Sequence, residues 1–186
     1  MDLLYTIPPL AVLIPLALLY IIFRVITYKN KRVTLLEILF SGYSLGVIYF
    51  VFLPIELTFG VHRNQAPWYS SINFIPILTI DMTSFILNII LFIPLGAFLW
   101  LAPRTVYSLK QAIRTGLSVS FGIELMQLII KLLLGSSRSI DINDLIANTI
   151  GCVVGYFLIK QAIKFKPFAS LLKWLLPINH RLYKKL

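Results

Sequence analysis

The apolar run "LLYTIPPLAVLIPLALLYIIFRVIT", residues 3–27, constrains this chain more than any other feature. A stretch of that length matches the roughly 30 Å hydrocarbon core of a bilayer. Four further runs follow, at about 34–57, 83–102, 113–134 and 145–163. Together they leave little sequence for anything else, since 59% of the 186 residues are hydrophobic and 13% charged, which excludes a soluble globular domain. The expected fold class is an all-α membrane protein, a bundle of about five transmembrane helices. Prolines inside the runs are compatible with this, because neighbouring helices satisfy the backbone groups they free. The first run does not fit a cleavable signal: it has no basic leader, it is too long, and its basic cluster comes after it.

The net charge of +10 is distributed as an orientation signal. Lys29, Lys31 and Arg32 follow the first span, Arg104, Lys110 and Arg114 lie between the third and fourth, and Lys160, Lys164, Lys166, Lys173, Arg181, Lys184 and Lys185 follow the fifth. The opposite side carries Arg63, Lys131 and Arg138. The positive-inside rule then predicts an outer N-terminus and a cytoplasmic C-terminus. Cations placed beside apolar segments leave no basic and aromatic surface for nucleic acid, so no nucleic-acid partner is expected. Lone Cys152, inside an apolar run, reads as a small packing residue. The organisation expected is a first helix and basic loop over 1–33, a transmembrane domain over 34–163, and a basic amphipathic tail over 164–186 lying on the cytoplasmic leaflet. The loop "SINFIPILTI" is too apolar for a plain linker, and predicts a short segment near 72–82 that dips into the outer leaflet or lies on the bundle.

Polar residues within spans are expensive and mark candidate sites. Ser120, Glu124, Gln127 and Lys131 are spaced 4, 3 and 4, which places them on one helical face. Asp144, Asn148, Gly151 and Gly155 repeat that spacing, with glycines that admit a close neighbour. Asn88 stands near the outer end of the third span, and Asn73 just before it. Asn73, Asn88, Glu124, Gln127, Arg138, Asp141, Asp144 and Asn148 therefore all map to the outer half or surface, and form the expected ligand-binding set. On the inner side Glu37 is the sole carboxylate. Structural readings exist for single members: Asp141 as a helix cap, Asp144 stabilising a helix N-terminus, Asn88 and Gln127 as interhelical glue.

The motifs "NIILFIPLG" (88–96), "ELMQ" (124–127) and "RSIDINDLIANTIGCVVGY" (138–156) resemble the VanZ-like family of bacterial membrane proteins. The resemblance covers about residues 40–160 and falls on Asn88, Pro94, Gly96, Glu124, Gln127, Arg138, Asp141, Asp144, Asn148 and Gly151. It implies a cell-envelope setting, with reduced susceptibility to teicoplanin and lipoglycopeptides, and carries no reaction.

Nucleophile and imidazole chemistry finds little support, because His62 and His180 fall on opposite sides and Cys or His residues are too few for a zinc site. Oxygen-ligand chemistry remains, with Glu124, Asp141 and Asp144 as candidate ligands for Mg²⁺ or Ca²⁺. The leading reading is a non-enzymatic protein that binds an anionic or lipid-tailed ligand, such as a peptidoglycan lipid intermediate or the drug, with Arg138 on the anion. The alternative is an enzyme acting on a lipid-linked envelope substrate, with Glu124 or Asp144 as general base. A transporter fits less well, since the inner half offers no matching polar path.

Overall fold

Prolines and caps decide where the helices begin and end. The computed structural model describes residues 3–27, 34–59, 67–101, 108–136 and 139–175. Pro9 occupies a first helical position, where a missing N–H costs nothing. The first apolar run is therefore split into a strand, β1 (Leu3–Ile7), and a helix, α1 (Pro9–Thr27). Thr34 starts α2 (Leu35–Phe52) with a capping box: Glu37 N donates to Thr34 Oγ1 at 3.2 Å, and Thr34 N to Glu37 Oε2 at 3.0 Å. Pro54 forces Leu53 into extended backbone, so α2 stops at Phe52, short of the expected 57. The chain continues as β2 (Ile55–Phe59), antiparallel to β1 with Ile7 opposite Ile55. This small ribbon corrects the expectation that both apolar runs are helical to their ends.

Next come a 3₁₀ turn over Trp68–Ser71, a two-residue strand β3 (Ile72–Asn73), and α3 (Met82–Leu101). Helix α4 (Leu109–Leu134) opens on a Ser108–Gln111 capping box, four residues earlier than expected. It closes at Gly135, whose left-handed φ of 72° suits a residue without Cβ; the Gly135 N–H donates to Lys131 O at 2.8 Å. Then β4 (Ile140–Asp141) pairs in parallel with β3 and runs into α5 (Ile142–Ala162). Last is the short α6 (Lys166–Leu175). Helices α1 to α5 are each long and apolar enough to cross a membrane.

The centre of the bundle is the parallel pair α3 and α5. Gly96 meets the backbone of Cys152 and Tyr156, Gly151 meets Ile89, and Gly155 meets Ile93; at each of the three, an added Cβ would overlap a carbonyl oxygen. Helix α4 runs antiparallel to α5, with Gly116 against Cys152 and Thr149. Fully buried Phe92 packs with Leu95 and Cys152, and Cys152 Sγ also donates to Ala112 O at 3.5 Å. At the opposite end from the β3–β4 pair, Trp100, Tyr156, Ile159 and Ile163 form a second cluster. Phe168 and Leu172 of α6 pack against it, which holds the first part of the tail onto the bundle; residues 176–186 lie outside the described residues.

Helix α2 joins through aromatic contacts of Phe40 and Tyr43 with Phe98, and through the Tyr43 hydroxyl, which donates to Leu91 O at 3.0 Å. Helix α1 buries none of its residues and meets α2 through an Arg24–Glu37 ion pair at 3.2 Å.

The close approach of α3 and α5 is directly testable. Gly155→Leu should lower thermal stability in detergent by an amount equivalent to about 1–3 kcal/mol or more, the usual cost of overpacking. Gly42→Leu, at a site with open space around it, should leave the melting temperature nearly unchanged.

Candidate functional site

Parallel packing of α3 and α5 brings their two N-terminal ends together, and the antiparallel α2 and α4 bring their C-terminal ends to the same place. Between the four helices lies a chamber of about 480 Å³. Its polar lining is Ser84 and Asn88 from α3, Glu124 and Gln127 from α4, and Asp144 and Asn148 from α5. Phe50 and Val51 of α2, with Leu87, Ile90, Leu91 and Ile123, supply the apolar lining. Five of the eight expected site residues thus share one cavity.

Two more, Asn73 and Asp141, form its rim. Asn73 Nδ2 donates to Asp141 Oδ2 at 3.0 Å, Asp141 N donates to Glu124 Oε2 at 3.2 Å, and Asp141 Oδ1 accepts Asn143 N at 2.8 Å. Asp141 is therefore the N-cap of α5 as well as the link between loop and chamber. Arg138, the eighth, lies outside the described residues, as do His62 and His180.

Inside the chamber the amide nitrogens are occupied. Gln127 Nε2 donates to Val51 O at 3.2 Å, tying α4 to α2. Asn148 Nδ2 donates to Ser120 Oγ at 2.9 Å, tying α5 to α4. Ser84 Oγ donates outward to Asp81 Oδ2 at 2.6 Å, and Asn88 stands against Asp144. The matching oxygens are not occupied: Gln127 Oε1 and Asn148 Oδ1 are buried without a hydrogen-bond partner. Asn148 is 3% exposed, Glu124 6% and Ser120 0%, so water gives little relief to this face. An unmet buried acceptor costs about 1–3 kcal/mol, which makes these two oxygens an unfinished contact.

A residue that helical spacing did not flag closes the rim. Asn143 Oδ1 accepts Ile77 N at 2.8 Å, and Asn143 Nδ2 donates to Thr79 Oγ1 at 3.2 Å. This clamp holds Ile77 at a φ of 71°, a conformation that a β-branched residue rarely adopts. The segment near 72–82 accordingly lies on the bundle, over the start of α5. Asp81 ends it by capping α3: Ser84 and Thr83 donate to its carboxylate, and these hydrogen bonds, the Ser84 hydroxyl first, hold it below its ordinary value of 3.8. The signal that could have found Asn143 is its place two residues after the cap in "DIND", where it faces a loop distant in sequence.

Among the described residues no three His, Cys, Asp or Glu side chains are gathered as a metal site. Of the candidate ligands for Mg²⁺ or Ca²⁺, Asp141 spends its oxygens on Asn73 and Asn143, which leaves Glu124 and Asp144 facing the chamber.

Five apolar helices long enough to cross a membrane, four of them around a cavity with a partly polar lining, define a multi-pass membrane protein. The VanZ/LLP1 family model matches residues 16–165, and the chain belongs to that family. The match begins within α1 and ends just before α6. No curated protein and no solved structure matches the chain.

The rim clamp predicts a local effect. Asn143→Ala should speed hydrogen exchange at the Ile77 amide several-fold, in line with loss of one hydrogen bond of about 1 kcal/mol, while exchange in the middle of α3 stays unchanged.

Proposed function

We propose that this membrane protein binds a lipid-tailed molecule of the cell envelope and thereby lowers susceptibility to glycopeptide and lipoglycopeptide antibiotics. The observation that carries this reading is the arrangement of two cavities along one seam. The polar chamber lies at one end of the α2–α3–α4 seam. A second, apolar cavity of about 360 Å³ lies further along it, lined by Leu36, Phe40, Leu95, Phe98, Leu99 and Val119. Tyr43 stands between them, bonded to Leu91 of the first and packed on Phe98 of the second. A head group in the chamber and a chain along the seam would use both.

Leu87, Ile90 and Phe50 line the chamber and are largely exposed, so the wall on that side is the face a membrane lipid meets. Candidates for the ligand are a peptidoglycan lipid intermediate and the lipoglycopeptide itself. In this reading the chamber opens on the extracytoplasmic side, where the distribution of Lys and Arg would put it. Arg138 would then add a contact to an anionic part of the ligand.

A second reading, a membrane enzyme acting on a lipid-linked substrate, is favoured by the facing of Glu124 and Asp144 into one cavity large enough for a reacting group. In it one of the two carboxylates would serve as general base.

One experiment separates these. Cells expressing the wild-type chain, Glu124→Gln or Asn148→Ala are compared for drug susceptibility, membrane abundance and envelope-lipid mass spectra. The binding reading predicts loss of the protective effect in both variants at unchanged abundance, with no new lipid species in wild-type cells. A new modified lipid that Glu124→Gln removes would establish the enzyme instead. Parallel loss of abundance and protection would make the polar set structural. In the same cells Ser139→Cys, at the chamber end, should react with an impermeant maleimide from outside; labelling only after lysis would reverse the orientation.

A further inference from the structure

The hydrogen-bonding balance of the chamber narrows the ligand class, on the reading that the chamber is a ligand site. The polar part of its wall carries two carboxyl groups, Glu124 and Asp144, and amides whose donors are already spent. The Gln127 and Asn148 amides point their nitrogens at Val51 O and Ser120 Oγ inside the protein, and this leaves Oε1 and Oδ1 over, both buried and without partners. Ser84 turns its hydroxyl proton to Asp81. Glu124 receives Asp141 N on Oε2, and Asp144 has Asn88 on one side. Two carboxyl groups thus line one cavity, with two unpartnered amide oxygens buried within its wall, and among the described residues no basic side chain lines it.

An acceptor surface of this kind is complementary to a group that brings donors and positive charge, and it opposes an anion that can only accept. A bare divalent cation fits poorly, since it takes six or more close oxygens in a compact shell, and two carboxyl groups lining about 480 Å³ do not supply one. A primary ammonium fits better. It offers three N–H donors to the oxygens of two carboxyl groups, and the remaining space accepts the group that carries it. The apolar wall of Phe50, Leu87, Ile90 and Leu91 beside these oxygens requires that carrier to be apolar.

We infer that the chamber is a binding site for a primary ammonium group on an apolar chain, as in an amine-bearing membrane lipid, with the Glu124 and Asp144 carboxyl groups as its acceptors.

The test is a titration of the purified full-length protein in neutral detergent, followed by native mass spectrometry. The probes are dodecylammonium, dodecyltrimethylammonium, dodecyl phosphate, and Mg²⁺ or Ca²⁺. Saturable binding of one dodecylammonium, at least about tenfold tighter than dodecyltrimethylammonium, is expected, the ratio being that of one charge-assisted hydrogen bond. Asp144→Asn and Glu124→Gln should each weaken it about tenfold, the second keeping an oxygen to accept the Asp141 N–H. Equal binding of the trimethylammonium probe would overturn the inference by showing attraction through charge alone, and metal binding without ammonium binding would also overturn it. Saturable binding of dodecyl phosphate in place of dodecylammonium would remove this inference and leave the lipid-tailed ligand reading standing. No saturable binding by any amphiphile would remove both.

Discussion

Backbone contact between two parallel helices is the constraint on which the rest depends. Gly96, Gly151 and Gly155 let α3 and α5 approach until carbonyl oxygens occupy the space where side chains would otherwise stand. In a bilayer, where lipid tails are as apolar as leucine, association between helices relies on such packing and on hydrogen bonds. The parallel sense has a consequence for function. It puts the N-terminal ends of α3 and α5 side by side, and so places Asn88 against Asp144. The loops before the two helices also meet there, as the β3–β4 pair and the Asn143 clamp.

Polar groups then serve two purposes that share the same side chains. The nitrogens of Gln127 and Asn148 hold α4 to α2 and α5 to α4, and their oxygens are left buried without partners. In the proposed reading such residues are both structural glue and site. Their removal also deletes an interhelical hydrogen bond, which is why abundance must be read beside activity. Glu124 behaves likewise: one oxygen anchors the backbone of the α5 cap, and the carboxyl as a whole faces the cavity.

Much of this was legible in the order of residues. Apolar length predicts all five spanning helices, and a 4, 3, 4 spacing places Glu124 with Gln127 and Asp144 with Asn148 on the faces that meet. The reading of Asp141 as a cap also holds. Other features depend on partners far away in sequence. Leu3–Ile7 looks like the start of a membrane helix until Pro9 is taken as a helix start and Ile55–Phe59 is available as a partner strand. Asn143 carries no periodic signal, because its partners lie in a loop more than sixty residues earlier, at |i−j| of 66 for Ile77. The anion contact expected of Arg138 rests on its place in the sequence, and that residue lies outside the described residues.

The most direct measurement is photo-crosslinking within the membrane. A photoreactive residue replaces Leu87, on the chamber wall, or Leu39, an exposed residue of α2 away from it, and lipid adducts are identified by mass spectrometry. The account predicts one dominant lipid species at position 87, lost when Asn148→Ala is added, and a mixture following bulk membrane composition at position 39. The same bulk mixture at both positions, unaffected by Asn148→Ala, would contradict it.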